Sequence, residues 1–93
     1  MKSLLFLCLL GAASALGPAH DAFLKGQYKK AIELAEPHAD SEPEQAWRLI
    51  GGSYCFLKDQ GGAKKAWSKL DPQGQAFLKY VCSRNGISLP RRI

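Results

Sequence analysis

The segment Ala46 to Trp67, "AWRLIGGSYCFLKDQGGAKKAW", decides how this chain is read. It holds two glycine pairs, Gly51-Gly52 and Gly61-Gly62, set between large aromatic residues. Paired glycines serve two ends. They let backbone amides cradle a phosphate, or they let two helices touch where a Cβ would keep them apart. A phosphate loop needs a preceding strand and a Lys-Ser/Thr at a fixed offset, or G-x-G-x-x-G opening a helix. No strand pattern precedes either pair, and no Ser or Thr follows Lys64 or Lys65 directly. Gly51 falls inside a helical stripe of Trp47, Ile50, Tyr54 and Leu57. The pairs therefore read as a packing contact at Gly51-Gly52 and a turn at "KDQGG", before a helix carrying Ala63, Ala66, Trp67 and Leu70.

Working outward, nothing after Ala15 alternates with period two; apolar residues recur at three- and four-residue intervals, the period of helices. A short first helix is expected from Pro18 to Lys25, closed by Gly26. A second, from about Gln27 to Glu36, carries Tyr28, Ala31, Ile32 and Ala35 on one face, with Pro37 expected to stop it by keeping Glu36 out of helical geometry. Ser41-x-x-Glu44 has the form of a capping box, with Pro43 in the first turn of a third helix running to about Leu57. Asp71-Pro72 reads as an N-cap followed by proline at the first helical position. The helix it starts has Phe77, Leu78, Tyr80 and Val81 as its apolar residues, and Asn85-Gly86 ends it, with Ile87 placed for a Schellman cap.

Trp47-x-x-Ile50-Gly51-x-x-Tyr54 followed by Ala63-x-x-x-Trp67 resembles the tetratricopeptide pattern W-x₂-L-G-x₂-Y…A-x₃-F, with Ile for Leu and Trp for Phe. Gly26-x-Tyr28-x-x-Ala31-x-x-x-Ala35 resembles the turn and second helix of the same repeat, which sets Ala31 in the place of Ala63, close to one family period earlier. Ala76-Phe77-x-x-Tyr80 parallels Ala46-Trp47-x-x-Ile50, and so resembles the start of a third repeat acting as a cap. The sequence departs from the family in its truncated first repeat and in Pro72, which follows Trp67 too closely. The expected fold is all-α, with antiparallel helix pairs stacked as a short tetratricopeptide-like solenoid and a C-terminal capping helix over residues 16–86, then a loose tail over 87–93.

The stretch from Met1 to Ala15 reads as a signal peptide. Lys2 supplies the positive start, Leu4 to Leu10 the apolar run, and Ala13-Ser14-Ala15 a small-x-small cleavage site. The apolar run is too short to span a bilayer. The expected location is therefore secreted or periplasmic, with the membrane met only in transit. Cleavage after Ala15 removes Cys8 and leaves Cys55 and Cys82, which in an exported chain read either as one disulfide or as two separate buried thiols. The formal net charge is +5, one unit of it from Lys2, and the basic residues are dispersed. Dispersed excess charge of this size favours acidic surfaces in general, and export argues against nucleic acid as the partner.

Little in the sequence carries chemistry. His20 and His38 are the only histidines, and Cys55 and Cys82 lie far apart with no C-x₂-C pair, so no zinc site, metal or cofactor is expected. No paired carboxylates or nucleophile-base arrangement suggests an enzyme. What the resemblance implies is a shallow groove for a protein or peptide, lined by Gln45, Arg48, Gly52, Cys55 and Phe56 of the third helix and by Lys79 and Cys82 of the last. Arg48 and Lys79 would attract an acidic segment, with affinity in the micromolar range or weaker. Two other readings stay open: a basic effector acting at membrane surfaces, and an assembly protein that pairs with itself. An intact-mass spectrum of the exported protein is expected to start at Leu16, and thiol-capping reagent should add no mass until reductant is present. A mass starting at Met1 would remove both the export reading and its disulfide.

Overall fold

The computed structural model describes residues 15–89; the expected leader up to residue 14 and positions 90–93 of the expected tail lie outside it. The chain folds as an all-α globule of five packed helices, α1 (Gly17–Leu24), α2 (Tyr28–Ala35), α3 (Pro43–Phe56), α4 (Gln60–Ser68) and α5 (Pro72–Arg84), with a 3₁₀ turn Glu36–His38 after α2. Among the described residues there is no strand.

Three helix ends share one geometry. At the end of α1 the Gln27 amide donates to Ala22 O (2.9 Å) and the Gly26 amide to Phe23 O (3.0 Å). At the end of α3 the Asp59 amide donates to Tyr54 O (2.9 Å) and the Lys58 amide to Cys55 O (3.1 Å). At the end of α5 the Ile87 amide donates to Cys82 O (2.9 Å) and the Gly86 amide to Ser83 O (3.2 Å). Each pair is a Schellman cap, which satisfies carbonyls the helix leaves open. The left-handed residue is Gly26 (φ 79°), Lys58 (φ 62°) and Gly86 (φ 77°) in turn. Lysine pays a steric cost there that glycine does not, and its ammonium gains a bond in return, donating to Asn85 O at 3.0 Å.

Helix α3 packs against all four others. Arg48 meets Phe77 near the middle of α3 and α5, and Cys55 is bonded to Cys82 near their ends, with Cα atoms 4.7 Å apart. Contacts that advance together along both helices mean that α3 and α5 run parallel. Phe23, late in α1, lies over Gly52 of α3, so α1 runs the same way. Helices α2 and α4 return antiparallel between them. One buried cluster joins Leu16, Ala19, Ile32, Ala35, Ala46 and Ile50. A second joins Cys55, Ala63, Ala66, Trp67, Leu70, Leu78, Cys82 and Ile87. Trp47 and Tyr54 pack against both and bridge them. The phenol of Tyr54 is held above its ordinary pKa by burial first, then by the Glu36 and Asp59 carboxylates.

Several expectations are corrected. Glu36 keeps helical angles (φ −53°, ψ −44°) despite Pro37, and the chain tightens into the 3₁₀ turn instead of stopping. Pro43 takes the first helical position of α3, which makes Glu42 the N-cap; the Ser41-Glu44 capping box does not form, and Ser41 Oγ donates back to His38 O at 3.4 Å. Gly61 and Gly62 are not turn residues. They lie in the first turn of α4, whose N-cap Asp59 accepts from the Gly62 amide at 3.0 Å. Asp71 caps α5 as expected, accepting from the Gly74 amide at 2.8 Å. On α5 the buried stripe is Gly74, Leu78 and Cys82, while Phe77 and Tyr80 are exposed. Of the expected loose tail, Ile87 is buried, Ser88 O accepts from Gln60 Nε2 at 3.1 Å, and Leu89 packs on the second cluster.

Gly51 is where two other helices meet the α3 backbone at once. A Cβ placed there would sit 2.8 Å from Leu78 Cδ1 and 2.9 Å from Ala66 Cβ, so α4 and α5 both press on bare α3 backbone. A Cβ at Gly61 would meet only Asp59 Oδ1, at 3.7 Å. In urea denaturation Gly51→Ala is expected to lose about 1–3 kcal/mol to overpacking. Gly61→Ala is expected to hold or gain up to about 1 kcal/mol, because it only stiffens the unfolded chain. Equal effects at the two positions would refute the close-contact role of Gly51.

Candidate functional site

The three parallel helices leave a groove between them. It has a volume of about 520 Å³ and is lined by Leu16, Gly17, His20, Phe23 and Leu24 from the α1 side, Gln45, Arg48 and Leu49 from α3, and Phe77 from α5. The residues follow from helix geometry. Gln45, Arg48, Leu49, Gly52 and Phe56 recur at three- and four-residue steps and share one face of α3. Leu16, Gly17, His20, Phe23 and Leu24 do the same along α1. Gly52 lets the α1 side come close: a Cβ there would stand 3.3 Å from Phe23 Cε1.

Most of the lining is apolar, and the exposed side chains Leu24, Phe56 and Phe77 extend the apolar surface at its margins. Among the described residues Arg48 is the one lining residue with a fixed charge, and none that lines the groove is acidic. Its guanidinium carbon lies 6.0 Å from the centroid of the Phe77 ring, within cation–π range. Its Nε is buried without a hydrogen-bond partner among the described residues, as is Oε1 of Glu44 one turn earlier on α3. Nε itself is closed to a ligand by its burial; what the groove offers is the positive charge of the half-buried Arg48 side chain, which attracts a carboxylate.

The seven residues expected to line the groove are thus divided. Gln45 and Arg48 line the groove. Gly52 lies beneath Phe23 and shapes the groove floor without offering a side chain. Phe56 is engaged within the protein: its ring stacks on Tyr28 (centroids 4.6 Å apart, planes at 2°) and meets Phe23 edge-on at 5.8 Å. Lys79 is exposed and outside the lining. Two residues along a helix turn about 200°, so with Phe77 facing the groove Lys79 lies on the opposite flank. Cys55 and Cys82 face each other and are bridged, fully buried, rather than facing the groove.

The lining residues on the α1 side and Phe77 were missed, yet a signal existed for the first group. Ala22 and Tyr54 hold the same place in their caps. When the chain is shifted to lay Tyr54 on Ala22, the residues Arg48, Leu49, Gly52, Cys55 and Phe56 fall on Leu16, Gly17, His20, Phe23 and Leu24. On α5 the equivalent cap residue is Cys82, whereas the match of Ala76-Phe77 to Ala46-Trp47 sets Arg84 in that place. The register of the caps puts Phe77 opposite Leu49 and leaves Lys79 out.

Among the described residues no group of three His, Cys, Asp or Glu side chains gathers to hold a metal ion, and no helix is long and apolar enough to cross a membrane. Comparison with protein-family models, with curated proteins and with solved structures finds no match to the chain.

The disulfide fixes α5, and with it Phe77, against α3. It joins positions separated by 27 in sequence, and closing a loop of that length stabilises the fold by about 3–4 kcal/mol on chain entropy. The double variant Cys55→Ala/Cys82→Ala is expected to unfold at lower urea concentration by a comparable free energy. An unchanged midpoint would show that helix packing alone holds α5 in place.

Proposed function

We propose that this protein is a small exported interaction module, tetratricopeptide-like in construction, that receives a segment of a protein or peptide with acidic character in the groove across α1, α3 and α5. The observation that carries the reading is the groove itself: largely apolar walls contributed by three parallel helices, with the cationic side chain of Arg48 and no acidic residue among the described lining. The repeat reading draws support from the recurring Schellman caps and from the paired small residues Ala31 and Ala63, each fully buried. The export reading draws support from the Cys55–Cys82 bridge, since disulfides persist in oxidising compartments. No catalytic role is proposed; the groove residues do the work of holding a ligand. Tests for the competing readings are direct. Self-association would bury the groove and show as a concentration-dependent mass in solution, and a membrane role would show as binding to anionic vesicles.

A library of peptides combining acidic and apolar residues, titrated against the processed protein, is expected to yield ligands at about 1 μM or weaker. Arg48→Gln and Phe77→Ala are each expected to weaken the best ligand about tenfold, as loss of a charge-assisted bond or an aromatic contact does. Lys65→Ala, an exposed change on α4, should leave it unaltered. Binding indifferent to both groove substitutions would sink the proposal.

A further inference from the structure

Leu16 stands where leader and domain join. Ala15 is exposed, whereas Leu16 is 6% exposed. The Leu16 carbonyl accepts from the His20 amide at 2.9 Å, so Leu16 is the N-cap of α1. It also lines the groove together with Gly17, Gln45 and Arg48. The small-x-small pattern places the cleavage between Ala15 and Leu16, at this boundary. In the precursor the Leu16 nitrogen is a neutral amide. In the processed chain it is an ammonium, carried by a residue that lines the groove.

The surroundings of that cation favour an anionic ligand. Because α1, α3 and α5 run parallel, their N-termini lie at the same end of the groove, and each contributes partial positive charge there. An ammonium at the start of α1 adds to a potential of its own sign, an unfavourable placement that an anion relieves. Arg48 brings a guanidinium charge to the same groove, and the described lining has no carboxylate of its own. Beside these donors stand the apolar walls of Leu49 and Phe77. Donors and an apolar wall side by side match a C-terminal residue, which carries its carboxylate and its side chain on one Cα.

We propose that removal of the leader completes a site for the C-terminal carboxylate of an apolar peptide, held by the new α-amino group of Leu16 and by the Arg48 guanidinium, with the last side chain against Leu49 and Phe77. The proposal rests on the peptide-groove reading above and names its ligand class. It assigns the processed N-terminus a part in binding, so the precursor and the processed chain differ in affinity as well as in length.

The test uses the folded, exported protein, its mass first shown to start at Leu16. Half is acetylated at its α-amino group in mildly acidic buffer, where that amine (pKa about 7.7–8.0) reacts ahead of lysine (about 10.4). Two probes are titrated against each half: acetyl-Gly-Ser-Gly-Ala-Leu-Phe with a free carboxylate, and the same peptide as its C-terminal amide. The free acid is expected to bind the unmodified protein about tenfold tighter than the amide. Acetylation should narrow that difference while leaving the amide's affinity unchanged. Arg48→Gln should reduce it too. If acetylation changes nothing, or if the processed chain starts elsewhere, the inference is overturned while the groove reading stands. If neither probe nor any acidic library peptide binds, the groove reading fails and this one with it.

Discussion

Helix α3 can touch four neighbours only because its backbone is bare where two of them cross it. Ala66 and Leu78 approach Gly51 more closely than any side chain there would permit, and dispersion forces favour that closeness only while no gap or clash intervenes. The alanines at 63 and 66, both fully buried, keep α4 equally slim. With the small residues gathered at the crossing, Trp47 and Tyr54 fill the space on either side and tie the two apolar clusters together. A chain of this length has little interior to spare, so this crowded crossing sets where α4 and α5 lie against α3. The groove is a by-product of that arrangement: three helices held parallel by contacts on one side leave their other side open.

The sequence disclosed the parts of the fold that depend on periodicity. The faces of α2 and α4 were readable because each buries small or bulky apolar residues at helical spacing: Ala31, Ile32 and Ala35 on one, Ala63, Ala66, Trp67 and Leu70 on the other. Helix α5 is only half legible: Leu78 is buried and Val81 packs on the second cluster as its apolar pattern suggests, but the rest of its face is hidden. Its buried stripe includes a glycine and a cysteine, Gly74 and Cys82, while its conspicuous aromatics are exposed, Phe77 at the groove and Tyr80 to solvent. Hydrophobicity ranks the wrong residues when a helix meets its neighbour at close range. The turn after α3 was misplaced because a lysine holds the left-handed position that glycine usually takes, which made Gly61-Gly62 look like the turn.

The groove was half legible for a related reason. Gln45 and Arg48 lie on a complete helical face, so helix geometry alone places them. His20, Phe23 and Leu24 belong to a short helix whose pattern is too brief to interpret by itself, and only its register against α3 shows what it faces. Phe77 required the true offset of α5, which the C-terminal cap sets and the amino-acid pattern conceals. Phe56 has the right position but is already occupied by Tyr28 and Phe23; sequence spacing reports direction and says nothing of prior commitments.

The bridge between Cys55 and Cys82 divides the molecule unequally. It encloses α4 and joins it covalently to the ends of α3 and α5, so the second apolar cluster lies largely within a closed ring of chain. Helices α1 and α2 stand outside the ring, held by the first cluster and by the aromatic contacts around Phe56. Local unfolding follows such boundaries, because a segment without a covalent return path gains the most chain entropy on release. The α1–α2 hairpin is therefore the part of the molecule with the lower cost of opening. One wall of the groove belongs to the hairpin, one, at Phe77, to the ring, and the third to the stretch of α3 that leads into the ring, so a ligand lying across them fastens the loose part of the protein to the fixed part.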